Sequence, residues 1–318
     1  MDYPLPDISI VICTLHRPQQ LKEAVLSCLA LRSIDRYMPE IIVVDNSAEA
    51  EAADLVKTFA VAASPCTIRY VHEPRTNIAH ARNTGIAASR APLVAFVDDD
   101  MRLSPQWLCR VMRTISAESA DALVGAIQPI VERPDQLTDP VILSFYSRDL
   151  RLPEGSPIRS TRSGYISGVG TGNSVFRRAT CFISPEPFDP AFGVGGGEDT
   201  DFFLRLGQRR TKVVWSAESL AYEFVSFERA TLSFVTHRTR RGSQNYARAM
   251  VKNSQRRLLT VLSLTGIGAV QGLAHLARYI TLRLMRSDSA KYARVCAIGA
   301  FGKIPWWSQR HSWWELTR

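Results

Sequence analysis

The chain has 318 residues, is 46% hydrophobic and 22% charged, and carries a formal net charge of +9 at pH 7. This composition excludes a disordered or fibrous chain and allows one large domain or two modest ones. The positive balance points to an anionic partner: nucleic acid, an acidic membrane surface or a phosphorylated substrate.

Residues 8–13 (ISIVIC) form a continuous β-branched run, as in a strand covered on both faces. A Thr-Leu-His-Arg-Pro loop follows, and Pro18 opens a helix over 18–31 with Leu21, Val25 and Leu29 on one stripe. Strands are predicted at 40–45 (EIIVVD), 67–71 and 93–97 (LVAFV), with helices at 49–62, 78–89 and 105–116. This alternation predicts an α/β fold, a mostly parallel sheet with helices on both faces. Ligands of such sheets bind beyond the carboxyl ends of the strands, where Thr14, Asp45 and Asp98 stand.

Beyond residue 120 the alternation loosens. A strand is predicted at 122–127, a short helix at 141–148, and a Pro, Ser and Arg-rich loop at 152–163 suited to covering a site. The Gly-rich turn GVGTGN (168–173) leads into a strand at 174–178. A glycine run at 193–197 opens onto Glu198-Asp199 and a helix at 200–208, and strands at 212–215 and 220–225 close the region. The expected division is an α/β domain over 1–228 and a basic, then apolar, helical region over 229–318.

Segment 258–277 contains no Asp, Glu, Lys or Arg and is about as long as a bilayer crossing requires, ~20 residues. Gln271, His275 and three glycines interrupt it, and Arg278, Arg283 and Arg286 follow. It therefore also fits a helix lying on an anionic leaflet, with Trp306, Trp307, Trp313 and Trp314 at headgroup level, or a helix packed against protein. The N-terminus has no basic, apolar leader, and none of the six cysteines forms a C-x-x-C pair. Both features suit a reducing, cytoplasmic setting and give no zinc signal.

Asp98-Asp99-Asp100 carries the most chemistry. Three successive carboxylates repel one another unless a cation or strong donors neutralise them, and Mg²⁺ or Mn²⁺ prefers such oxygen ligands. A solvated acidic turn is the alternative. Glu198-Asp199 likewise reads either as a site or as acidic residues facing a helix macrodipole.

The segments ISIVICTLHRPQQLKEAVLSCL, EIIVVDNS, NIAHARNTGIAASRAPLVAFVDDDM and GGGEDTDFFLRL together resemble family 2 glycosyltransferases of the GT-A fold, across about two thirds of the chain. The nearest likeness is to bacterial enzymes of exopolysaccharide assembly, of the succinoglycan type. The resemblance implies a Rossmann-like catalytic domain plus a helical, membrane-associating C-terminal segment. It also implies a nucleotide-sugar donor, UDP-linked, and a lipid-linked saccharide acceptor carried on polyprenyl diphosphate.

The implied site residues follow position by position. Asp98-Asp99-Asp100 matches the D-x-D motif: Asp100 ligates Mn²⁺ or Mg²⁺, Asp98 meets the ribose or the metal shell, and Asp99 completes the nucleotide-sugar site. Thr14 and Arg17 border base and ribose, Asp45 binds a uracil-type base, and Arg82 lines the nucleotide pocket. Asp199 is the implied general base, and a lone base opposite the leaving group implies inversion. Asp201 is expected to be structural or a minor contact.

Two departures from the family pattern stand out. Where relatives place a metal-binding His, this chain has Leu-Ala-Tyr-Glu-Phe, which makes Glu223 the substitute ligand. Gln244-Asn245-Tyr246-Ala247-Arg248 replaces the Q-x-x-R-W of processive synthases, so transfer of one sugar per encounter is expected. The implied location is the cytoplasmic face of the inner membrane, peripheral or held by a single C-terminal anchor, with an anionic membrane surface and no nucleic acid among the partners. Strand one lacks G-x-G-x-x-G, which argues against an oxidoreductase, and a nucleotidylyltransferase would need an N-terminal Gly-rich signature that is missing. The alternative from another class is a non-catalytic scaffold of a polysaccharide assembly complex.

Overall fold

In a computed structural model, residues 5–62, 66–131, 139–193 and 195–304 are described; the four C-terminal tryptophans named above lie outside them. The apolar runs become β1 (Ile8–Thr14), β2 (Glu40–Asp45), β3 (Thr67–His72) and β4 (Leu93–Asp98). Between them lie α1 (Pro18–Leu29), α2 (Ile34–Tyr37), α3 (Ala53–Ala62) and α4 (Ile78–Ala88). Then come β5 (Met101–Leu103), α5 (Trp107–Ala117), β6 (Ala122–Val131), α6 (Pro140–Leu143), β7 (Ser174–Arg177), α7 (Arg178–Cys181), α8 (Pro190–Gly193), α9 (Glu198–Gln208) and β8 (Val213–Val225). Three helices end the described chain: α10 (Leu232–Lys252), α11 (Arg257–Leu284) and α12 (Ser289–Gly302).

The eight strands form one sheet in the order β3-β2-β1-β4-β7-β6-β8-β5. β3, β2, β1 and β4 are mutually parallel, β7 is antiparallel to β4 and to β6, β6 and β8 are parallel, and β5 is antiparallel to β8. Strand pleating divides the core between the two faces. β1 sends Ile8, Ile10 and Ile12 toward Leu21, Val25 and Trp107, and Val11 toward Phe96, Phe176 and Phe202 on the other face. Chain order reverses direction at β1 and β4, so the crevice of a doubly wound sheet opens at their carboxyl tips.

Several boundaries differ from expectation, each for a local reason. α3 begins at Ala53 and not at 49, because the Asp45 and Ser47 side chains accept the Ala52 and Glu51 amides and hold that stretch as a turn. The helix expected over 141–148 ends at Leu143, and Arg148 instead bridges to Ile127. The last two predicted strands are one strand, β8, whose pairing with β6 shifts register between Gly125 and Ile127. β5 is too short to show a pattern, yet its pairing of Met101 with Glu223 fixes one wall of the site.

α10 is capped by the Thr231 hydroxyl, which accepts from the Phe234 amide. It docks on α8, α9 and the glycine loop: Arg241 and Asn245 donate to the Gly195 carbonyl, and Lys252 reaches Asp189 and Asp201. A small core of Tyr146, Val225, Val235 and Val295 joins α10 and α12 to the end of β8.

Candidate active site

The tips of β1, β2 and β4 lie side by side, with Cys13 opposite Asp98 and Thr14 opposite Asp45. Thr14 and Asp99 turn toward each other: the Thr14 hydroxyl donates to Asp99 Oδ2 at 2.9 Å, and Arg17 donates to Asp99 Oδ1 at 3.1 Å. Burial pushes the Asp99 carboxyl up to about 6; Arg17 opposes the shift and Asp100 adds to it. Asp99 thus ties the loop after β1 to the acidic segment. Asp99 and Asp100 also border a cavity of about 230 Å³ closed by Gln20, Glu23, Arg102 and Phe224.

Asp98 ends β4, and its side chain is 43% exposed. Its carboxylate lies 3.9 Å from Arg82, whose other guanidinium nitrogen donates to Glu198 at the head of α9. Arg82 is buried, not a surface residue of α4, and the neighbouring Glu198 and Asp98 raise its pKa against the effect of burial. Glu198 is also buried; burial raises its pKa, Arg82 opposes this, and its Oε2 has no hydrogen-bond partner among the described residues. Enclosure raises the pKa of Asp98 as well, and the charges of both Asp100 and Asp199 add to it. Asp98 is therefore within electrostatic reach of both Asp100 and Asp199.

The turn at residues 170–172 runs between these carboxylates. A Cβ on Gly172 would come within 2.3 Å of Asp98 Oδ2, and one on Gly170 within 3.2 Å of Asp199 Oδ2. Arg148 holds the turn, donating to the carbonyls of Gly125, Gly170, Gly172 and Asn173. Enclosure lowers the Arg148 pKa to about 10, while Asp98, Glu223 and Asp199 counteract the shift. Asp199 lies in the first turn of α9, its Oδ1 accepting the Thr200 amide at 2.6 Å. Asp201 is fully buried and joins Arg205, Lys252 and Asn253, a structural tie between α9 and α10.

At the other side, Arg229 clamps Asp100 at 2.6 Å and Glu223 at 2.9 Å, and Arg17 lies 3.5 Å from Asp100. Both carboxylates are largely buried, and burial raises the pKa of Glu223. Clustered carboxylates neutralised by guanidinium groups are a donor set of the hard-oxygen kind that suits Mg²⁺ or Mn²⁺. Among the described residues no three Asp, Glu, His or Cys side chains converge on one point. A cation here would use one or two carboxylates and complete its shell from phosphate and water, as Mg²⁺ commonly does.

Asp45 stands at its expected strand tip but is buried, and its oxygens accept from the Ser47 amide and hydroxyl, the Ala52 amide and the Tyr70 hydroxyl. Those donors fill the acceptor sites of a carboxylate. Asn46 beside it ties the segment at 73–77 to β2, donating to the carbonyls of Glu73 and Arg75 and accepting the Asn77 amide. Sequence reasoning missed Arg148, Arg229 and the pairing role of Glu198. A run such as Tyr-Ser-Arg-Asp bears no signal of a turn-holding arginine; for Arg229, the only hint was a basic residue soon after a strand ending near the acidic run.

The chain is similar to known proteins in sequence and in fold. The sequence model described as Glycosyl transferase family 2 matches residues 9–179, more than half of the chain. The succinoglycan biosynthesis protein ExoM of Rhizobium meliloti (strain 1021) is 32% identical over 251 residues, 78% of this chain and 76% of that protein. Among solved structures, the mannosyltransferase PcManGT from Pyrobaculum calidifontis, in complex with GDP-Man and Mn²⁺, superposes with a TM-score of 0.62 at 15% identity, covering 96% of this chain and 89% of that one. Residues 1–349 of S. aureus TarS in complex with UDP-GlcNAc superpose at 0.55 with 12% identity, covering 96% and 93%.

Proposed function

Because this chain belongs to glycosyl transferase family 2 and has the GT-A fold, we propose that it transfers one sugar per encounter, with inversion, from a UDP-linked donor to a lipid-linked saccharide in bacterial exopolysaccharide synthesis. One observation carries this reading: Asp98 and Asp199 press on the same glycine turn from its two ends, so an acidic donor-binding edge and a separate carboxylate face one cleft. The relative's part in succinoglycan biosynthesis supports the polymer class, and the neighbours' complexes support a nucleotide-sugar donor.

In this reading, Thr14 and Arg17 border the base and ribose, and Asp45 acts on the base through the β2 turn that it holds rigid. Asp98 and Asp99 shape the ribose and phosphate edge, with Arg82 fixing Asp98 from below. Asp100 and Asp98 would hold Mg²⁺ or Mn²⁺, with Glu223 joining when Arg229 turns away. Bound there, the cation would neutralise charge building on the departing diphosphate. Asp199 Oδ2 accepts the proton of the acceptor hydroxyl as that oxygen bonds to the anomeric carbon, and the bond to the diphosphate oxygen breaks with its electron pair leaving on the diphosphate. Attack from the face opposite the leaving group inverts the centre.

Residues 1–228 carry this chemistry, and the helices beyond face the inner membrane from its cytoplasmic side, where the polyprenyl-linked acceptor resides. Calorimetric titration with UDP, with and without Mn²⁺, tests the reading. Binding that strengthens with Mn²⁺ supports an enzyme, whereas metal-independent or absent binding supports a scaffold.

A further inference from the structure

The positive charge of this protein is concentrated at one end. Residues 229–318 hold sixteen of the 39 Lys and Arg and two of the 30 Asp and Glu, a net +14 against −5 for the remainder. Among the described residues, most of the exposed large hydrophobic side chains lie in the same region. Along α11, Leu259, Leu262, Val270, Leu273, Ile280 and Leu284 are each between 51% and 81% exposed. At 3.6 residues per turn they fall within an arc of about 80°. Arg278 and Arg283 lie about 100–120° to either side of its centre, so basic side chains border the stripe.

The opposite side of α11 is committed to protein. A Cβ at Gly268 would meet the Ala300 carbonyl at 2.9 Å, and one at Gly272 the Phe301 ring at 2.4 Å. α12 in turn packs closely on α10, where Gly299 faces Thr239 and Gly302 faces the Arg240 carbonyl. Carrying α11 across a bilayer would either strip this packing or pull the basic α10 into hydrocarbon. From Leu259 to Leu284 the stripe runs about 38 Å, longer than the ~30 Å hydrocarbon thickness it would have to match end to end. A helix apolar on one exposed side and basic at its borders fits the plane of a leaflet.

At the C-terminal end of the stripe a cavity of about 330 Å³ opens between α10, α11 and α12. Arg283, Arg286, Lys291 and Arg294 line it, with Tyr279 and Asp288. Lys291 is engaged by Asp139 at 2.6 Å and lies 3.7 Å from Asp288, and Arg283 donates to the Tyr279 hydroxyl at 2.8 Å. Arg286 and Arg294 have no anionic partner among the described residues. The cavity also borders the N-terminal turn of the 14-residue α12, whose first amides are taken by the Ser287 hydroxyl and the Ser287 and Asp288 carbonyls, so the basic side chains are what would meet an anion. On its other side Tyr292 of α12 stacks on Phe145, next to Tyr146, whose hydroxyl donates to the Arg229 carbonyl.

We propose that this cavity binds the phosphate headgroup of an anionic membrane lipid while α11 lies in the leaflet plane, with its apolar stripe among the acyl chains. The proposal rests on the membrane-facing reading above and deepens it: the protein is held flat and monotopic, not spanned by α11. An acceptor diphosphate presented at the same headgroup level would then reach the cleft from the membrane side.

Vesicle sedimentation with the full-length protein tests this. Vesicles of phosphatidylcholine with about a third phosphatidylglycerol should bind the protein at least tenfold more tightly than phosphatidylcholine alone, given about one kcal/mol per basic residue at such a surface. Leu262→Asp combined with Leu273→Asp should lose binding to both compositions. Arg286→Glu combined with Arg294→Glu should lose about tenfold or more of the preference for the anionic vesicles. Fluorophores on Leu262→Cys and Leu284→Cys should be quenched equally by shallow spin-labelled lipid. Unequal depths would overturn the in-plane orientation, and vesicle binding unaffected by either pair of substitutions would overturn the site. A stripe variant that changes oligomeric state by light scattering would mark the stripe as a contact between two copies and overturn the proposal. Mn²⁺-dependent UDP binding should be unchanged in every variant, so loss of lipid binding and failure of the transferase reading are separately visible.

Discussion

Replacing Gly172 with alanine probes the cleft with a single methyl group. Gly172 has no left-handed backbone requirement, so the substitution adds volume without backbone strain. The new Cβ would stand 2.3 Å from Asp98 Oδ2 and 2.9 Å from Met101 Cε, where ordinary contact begins near 3.4 Å. Both neighbours are ends of flexible side chains. Asp98 therefore moves by about 1 Å, a displacement of the size that disrupts positioned groups. Overpacking of this kind costs about 1 kcal/mol of stability, so the protein folds. Disturbing the setting of a metal-site carboxylate commonly weakens metal affinity about 10- to 100-fold. Calorimetry should show the Mn²⁺-dependent part of UDP binding weakened to that extent. Gly170→Ala provides the control: its Cβ would lie 3.2 Å from Asp199 Oδ2, so Asp199 need shift by only a few tenths of an ångström and UDP affinity should hold. UDP binding with Mn²⁺ in Gly172→Ala equal to wild type would refute the assignment of Asp98 to the donor site.

Asp199→Asn should leave UDP affinity within about twofold and lower turnover about a hundredfold or more, measured as diphosphate release at saturating donor. Arg229→Met leaves Asp100 and Glu223 largely buried without their shared cation, which should lower stability by about 3 kcal/mol in urea titrations. Mn²⁺ should raise the melting temperature of that variant more than that of wild type. Glu73 is held at about 2, chiefly by the Arg75 guanidinium, against 4.5 for the free side chain. Its contribution to stability is therefore complete above pH 4.5 and is lost as pH falls from there toward 2. Urea midpoints between about pH 3 and pH 6 should fall less steeply in Glu73→Gln than in wild type.

The parallel half of the sheet was readable because strands buried on both faces require unbroken apolar runs, and ISIVIC, EIIVVD and LVAFV supply them. Polar residues that end such runs fall at the crevice automatically, which made Thr14, Asp45 and Asp98 visible. Periodicity does not encode what pairs with them. Arg229 meets Asp100 across 129 positions of sequence, and Arg82 meets Glu198 across 116. These meetings depend on how the antiparallel half closes, through a three-residue β5 and a β8 that the sequence divides in two. Asp45 shows the same limit: its strand tip was legible, while the donors from Ser47, Ala52 and Tyr70 that fill its oxygens depend on the turn and on β3. The apolar segment after residue 257 was legible as a membrane-scale helix, but only its packing against α12 distinguishes its protein side from its exposed side.

The most direct measurement is release of nucleoside diphosphate from a panel of nucleotide sugars, with Mn²⁺ and a lipid-linked saccharide fraction as acceptor, by wild type and Asp199→Asn side by side. Wild type should release diphosphate from a UDP-linked sugar only when the cation is present, and Asp199→Asn should bind that donor yet release about a hundredfold less. Release by Asp199→Asn at the wild-type rate, or release unaffected by removing the cation, would contradict a cleft in which Asp98 and Asp100 hold the donor and Asp199 takes the proton.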